Sequence, residues 1–269
     1  MSEINQASQS QCVFHRQGER IFPTVLSRGP WSPDAQHGGA PAGLIAGLAE
    51  EALAAEGYQL ARLTLELPRP VPVAPLSATV EAEPGRAVRR VRVTLRHDDK
   101  PVASGLAVMV RGAPISEGAL SGEAALPPPA ACLEPVRIPG MAEEESFHYT
   151  AMASKVAGGS TREPGPAAAW LRLTVPLVED METTPLMRAA AASDFGNGLS
   201  WALPLDRYLF ANTDLTLYMQ RPPTSEWVGV DSRTWIEPSG IGHTRSVLHD
   251  ESGPLGFAQQ NLLVRERRA

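Results

Sequence analysis

The sequence predicts an α+β protein in which one unit is used twice, each copy an antiparallel sheet wrapped around a central helix. Three observations carry this expectation. Leu63–Pro70 reads LTLELPRP and Leu215–Pro222 reads LTLYMQRP, an offset of 215 − 63, or 152 residues. The echo then continues, with Arg96–Pro101 answered by Leu248–Pro254, and Ala107–Arg111 by Asn261–Arg265 at an offset of 154. A period this long indicates a duplicated domain, since solenoid repeats run at roughly 20–50 residues. Finally, each copy alternates apolar and polar positions as strands do: Leu63, Leu65 and Leu67 against Thr64 and Glu66, and likewise over Leu215–Met219.

Taken in order, Phe14–Phe22 reads as a short hairpin or bent strand pivoting on Gly18 and ended by Pro23. The loop Trp31–Gly43 runs into a helix of roughly Gly39–Glu56, stopped by Gly57, with Leu44, Ile45, Leu48, Ala52 and Leu53 on one face. Its many small residues would let a sheet approach the backbone closely. Arg90–Leu95 and Ala103–Val110 form a strand pair around His97–Pro101, and Asp98-Asp99 there, like Asp250–Gly253 later, are turn formers. From Gly112 to Glu145 the composition turns to Pro, Ala, Gly and Glu around Pro127–Pro129, an extended linker. Units of 12–112 and 146–269 joined by the linker 113–145 follow. The second copy opens on strand-like Phe147–Lys155 and Trp170–Val175. Its helix begins at the cap Thr184 with Pro185 in the first turn, and is interrupted after Asp194 by Gly196–Gly198 before Leu199–Leu203. Two such units could join sheet edges, which removes unpaired edge strands.

Bulk properties narrow the function. A chain of 269 residues with 43% hydrophobic residues supports a large core, and a net charge of −6 without a basic run argues against nucleic acid. No apolar stretch approaches a membrane span, and Met1–Gln11 is polar, unlike a signal peptide; a cytoplasmic setting is expected. Cys12 and Cys132 alone make neither a disulfide framework nor a zinc site. The G-x-S-x-G, Walker A, H-E-x-x-H and G-x-G-x-x-G patterns are missing, so no cofactor is expected. His97 and His249 sit beside acids at matching hairpins, which reads as turn chemistry rather than a metal pair.

Three stretches, His37–Ala42 (HGGAPA), Ala192–Phe195 (ASDF) and Asp214–Pro223 with Glu226-Trp227, Arg233–Trp235 and Ala258–Gln260, resemble the acyl-CoA thioesterase II-like family. With the repeat, the resemblance covers most of residues 14–266. It implies a double hot-dog fold, an acyl-CoA substrate, and a carboxylate, a hydroxyl and an amide that hold and activate the attacking water. By that resemblance the carboxylate is Asp194 and the amide Gln260. The hydroxyl position, two before Asp214, holds Asn212, where the family usually has Thr or Ser; Thr213 beside it would point to the other face. Relatives of this fold commonly pair further, which implies a homo-oligomer.

Each candidate has a plainer reading. Asp194 could serve as base once desolvated among Ala and Phe, or merely mark the helix interruption. Gln260 could hold water or be a polar residue on a half-exposed strand; its counterpart at 260 − 154 is Leu106. Gly38 and Gly39 could aim N–H groups at a thioester carbonyl or phosphate, or simply permit close packing. His37 could be a substrate-binding residue or a capping loop histidine. Beside the thioesterase stand a non-catalytic acyl-CoA or acyl-lipid binding protein, supported by Asn212, and a hydratase, disfavoured because no Asp-x₄-His pattern starts either helix.

Overall fold

The computed structural model describes residues 11–53, 57–113, 115, 122–141 and 143–267. Its first half runs β1 (Phe14–Gln17), β2 (Arg20–Pro23), α1 (Gly39–Glu51), β3 (Gln59–Glu66), β4 (Leu76–Ala82), β5 (Val88–His97) and β6 (Lys100–Val110). The second runs β7 (Met152–Gly159), β8 (Ala167–Leu173), α2 (Pro185–Ser193), α3 (Gly196–Leu199), β9 (Tyr208–Asn212), β10 (Asp214–Met219), β11 (Val228–Ile236), β12 (Ile241–Asp250) and β13 (Gly253–Glu266).

The two repeated strands meet at the middle of one antiparallel sheet. In β3 and β10, Leu65 faces Leu215, Thr64 faces Thr216 and Leu63 faces Leu217. Read outward from this seam, the halves have the same order: β3-β6-β5-β4-β2-β1 on one side and β10-β13-β12-β11-β8-β7 on the other. This is the double hot-dog arrangement: two tandem units, each a sheet wrapped around its helix. The hairpin turns form as their residues require. Asp98 and Asp99 both take positive φ (47° and 61°), the geometry a two-residue turn needs to match strand twist.

Strand pairing fixes the repeat equivalences and corrects one of them. Thr216 faces Gln259 and Thr64 faces Leu106, so Leu106 answers Gln259 and the true counterpart of Gln260 is Ala107. The expected match rested on similar apolar runs, and a slip of one residue exchanges the two faces of a strand. Each half also carries the same irregularity. Asn212 faces Leu262 but Thr216 faces Gln259, a shift of one across Thr213, just as the β3–β6 register shifts between Leu60 and Arg62. Such a bulge re-aims a side chain, and here it leaves both Asn212 and Leu215 on the helix side.

Other expectations change in detail. Helix α1 ends at Glu51 rather than Glu56, and the part of the expected helix at 54–56 lies outside the described residues. Phe147–Ala151 is a wide helical turn, Ala151 N–H bonding Ser146 O at 3.1 Å, and the strand begins only at Met152. Tertiary contacts override strand propensity there, because the Phe147 N–H bonds Arg28 O and its ring is fully buried. The small residues of α1 admit the other helix rather than a sheet. A Cβ at Gly39 would lie 2.4 Å from Ala191 O, at Gly43 3.1 Å from Met187 O, and at Gly47 2.9 Å from the Met187 side chain. Successive contacts run backwards along α2, so the helices are antiparallel and each one's end meets the other's beginning. His249 is 1% exposed within β12 rather than at a turn, its Cβ and Trp170 both lying against Gly229. His97 stays at its hairpin, with Nδ1 3.0 Å from Pro75 O.

Candidate active site

Thr184 starts α2 by accepting the Met187 N–H at 3.2 Å, with Pro185 fixing the first turn. The buried run Ala189–Ala192 keeps the helix slim enough to lie against α1. The helix closes on Asp194, whose side chain is 4% exposed. That carboxylate is held by three side chains. Oδ1 accepts from Asn212 Nδ2 at 2.6 Å and from Gln260 Nε2 at 3.0 Å, and Oδ2 lies 3.0 Å from His37 Nδ1. Gln260 also locks the backbone: Nε2 reaches Asp194 O at 3.3 Å, and Oε1 accepts the Asn197 N–H at 3.3 Å. As alternation required, Gln260 and Leu262 are buried while Gln259 is exposed. Thr213 is exposed, with Oγ1 3.3 Å from Asp214 Oδ1, so Asn212 and not Thr213 reaches the acid.

The acid also sits at the amino end of α1, where the helix dipole favours a negative charge. A Cβ at Gly38 would lie 2.8 Å from Asp194 Oδ2, so only glycine lets the carboxylate in. The Gly39 N–H donates to His37 Nδ1 at 3.0 Å and is thereby occupied within the loop. One nitrogen cannot both accept that proton and donate to Asp194, so the proton on His37 Nδ1 decides which partner it serves. The His37 ring is fixed by Phe195 at 4.6 Å and Phe147 at 5.3 Å between centroids.

Asp194 borders a cavity of about 1490 Å³, walled by Trp31, Arg69, Ile138, Met141, Phe195 and Phe210 among others. Two contributors were not read from the sequence. His148 lines the cavity with its ring 6.3 Å from that of His37, hidden in a stretch that read as strand. Pro135–Met141 of the linker forms one wall, although nothing in its composition distinguishes a wall from a spacer. A desolvated carboxylate with fixed donors beside a cavity of this size suits proton abstraction from a water that attacks a bound acyl group.

Fold and site together describe a hot-dog thioester hydrolase. Comparison with known proteins gives the family. Residues 27–110 match the acyl-CoA thioesterase N-terminal domain and residues 124–264 the acyl-CoA thioesterase C-terminal domain. The chain belongs to the acyl-CoA thioesterase family. Among solved structures, it is similar to a hot-dog protein of unknown function from Alicyclobacillus acidocaldarius (TM-score 0.69, 16% identity, 95% of this chain and 96% of that one). It is also similar to acyl-CoA thioesterase II from Mycobacterium marinum (TM-score 0.63, 16% identity, 94% of each chain). No curated protein matches the chain. No helix among the described residues is long and apolar enough to cross a membrane.

Proposed function

We propose that the protein hydrolyses fatty acyl-CoA to free acid and CoA, with Asp194 as the base for water and Asn212 and Gln260 as the groups that hold it. Asp194 removes a proton as the water oxygen bonds the thioester carbon. Collapse of the tetrahedral adduct breaks the C–S bond, and the proton passes to the departing thiolate. Asn212 takes the place of the family's hydroxyl, and its amide can serve as donor to the same carboxylate oxygen. The observation that carries this reading is the buried Asp194 carboxylate, gripped by three side chains at the edge of a large cavity. His37 and Gly38 act on the substrate side of the acid, one beside Oδ2 and the other yielding room for it.

A chain-length series of acyl-CoAs with a thiol reporter tests the proposal. Release of CoA by the parent and its loss in Asp194→Asn supports it. Binding without release in the parent leaves the non-catalytic acyl-CoA binding protein instead. The reading takes units 12–112 and 146–269 about a linker 113–145, in a cytoplasmic protein. It includes self-association through sheet edges or through the helix-free outer sheet face, where Tyr218, Trp235 and Ile241 are exposed. A monomer by light scattering at high concentration rejects that last part.

A further inference from the structure

The linker does more than join the halves, because its middle is bound down against the second half. Val156 N–H bonds Glu134 O at 2.7 Å, Val136 N–H bonds Ser154 Oγ at 3.2 Å, and Thr161 Oγ1 both accepts from Arg137 N–H (3.3 Å) and donates to Arg137 O (3.0 Å). Immediately after these anchors comes Ile138-Pro-Gly-Met141. Met141 N–H closes on Ile138 O at 3.2 Å, and Gly140 has φ +83°. Proline second and a positive-φ glycine third are what a type II turn demands. The turn brings the side chains at its two ends to one place: Ile138 Cδ1 and Met141 Cε each lie 3.7 Å from where a Cβ on Gly198 would be. Gly198 is four residues beyond Asp194 in the chain (198 − 194) and lines the same cavity. Behind the turn, Ile138 and Met141 pack on the apolar cluster of Leu205, Phe210, Leu262 and Val264.

A thioester held at Asp194 has to send its acyl chain one way and its phosphate-bearing half the other. The side chains of Ile138, Met141, Phe195 and Phe210 offer the lining only carbon and sulfur, next to an Arg137–Glu143 ion pair that flanks the turn, and Ser32, Asp34 and Arg69 add further polar groups to the lining. We propose that the Ile138–Met141 turn is the acyl-chain gauge of this enzyme: the chain lies against the turn, and the bulk of the side chains at 138 and 141 sets the length accepted. This rests on the acyl-CoA thioesterase reading and adds to it the residues that select among acyl-CoAs.

The test is affinity for S-alkyl-CoA thioethers of increasing chain length, measured by calorimetry for the parent, Ile138→Ala, Met141→Ala and Ile138→Trp. The two alanine variants move the optimum to longer chains, each newly seated methylene adding about fourfold in affinity. Ile138→Trp moves it to shorter ones. Ile138→Val and Met141→Val give smaller shifts toward longer chains should the larger changes disturb folding. The same optimum in every variant overturns the gauge. Because thioethers are not cleaved, the two claims fail separately. Shifted optima in a protein that cleaves no acyl-CoA sink the hydrolase reading alone, and cleavage with an unmoved optimum sinks the gauge alone.

Discussion

Asp194 and Glu50 occupy matching places in the two halves. Each lies nine residues after the proline in its helix's first turn (194 − 185 and 50 − 41), and each reaches the start of the opposite helix. Their surroundings differ. Glu50 accepts a hydrogen bond from the Thr184 hydroxyl, the N-cap of α2, and ties one helix to the other. Asp194 meets α1 where Gly38 offers no capping side chain, and His37, Asn212 and Gln260 gather on it instead. At the positions answering Asn212 and Gln260 the first half has Leu60 and Ala107, both buried and neither able to donate. Only Asp194 borders the large cavity. One backbone position thus carries a cavity-facing carboxylate or a helix latch according to two strand side chains and the space in front of it.

The sharpest break between the two is Asp194→Asn against Glu50→Gln. The first should lower kcat for acyl-CoA hydrolysis at least about 10²-fold, as loss of a general base does. The second should leave kcat where it was, and a shared loss would mean that both acids serve one site. Next in size is Gly38→Ala, whose new methyl collides with Asp194 Oδ2. Turnover should fall on the order of tenfold or more through misplacement of the acid, with far-ultraviolet circular dichroism unchanged. Gln260→Ala and Asn212→Ala should each cost about tenfold or less in kcat, since the remaining donors still hold the carboxylate. A loss in either as deep as that of Asp194→Asn would show that the remaining partners cannot keep the reacting water in place.

The smallest effect is a pH dependence of stability. Burial raises the Glu50 pKa, and the Thr184 hydrogen bond only partly offsets it. The folded protein therefore holds that proton more tightly than the unfolded chain. The contribution is full below the ordinary glutamate value of 4.5 and is lost as pH rises through the elevated one. Urea unfolding should show the parent losing ground to Glu50→Gln as pH rises out of the acid range. A constant difference across pH would place Glu50 in water.

Much of this was legible because strands and caps are local. Alternation put Gln260 and Leu262 on one face and Gln259 on the other, and Thr184-Pro185 marked the start of α2 without help from the rest of the chain. What depended on contacts between distant segments was not. The bulge at Thr213 and the one-residue slip that makes Ala107 the partner of Gln260 are properties of pairing, and two similar apolar runs cannot reveal them. The glycines at 39, 43 and 47 announced close packing but not that a second helix was the neighbour. Phe147 and His148 looked extended because their turn is imposed by Arg28 and the rings of His37 and Phe195. The wall at Ile138–Met141 was hidden for the same reason, although its Pro-Gly pair was in plain view.

The seam between β3 and β10 has one more implication. Thr64 and Thr216 are the same residue of the repeat, they face each other, and Thr216 Oγ1 lies 3.4 Å from Thr64 Oγ1. A residue that pairs with its own copy marks a two-fold axis, and a contact of that kind is isologous. A single unit bearing the Leu-Thr-Leu strand could therefore have been its own partner, closing the same seam as a symmetric dimer with an acid at the end of each helix. With both units in one chain that equality is not required, and each half can change its side chains without changing the other.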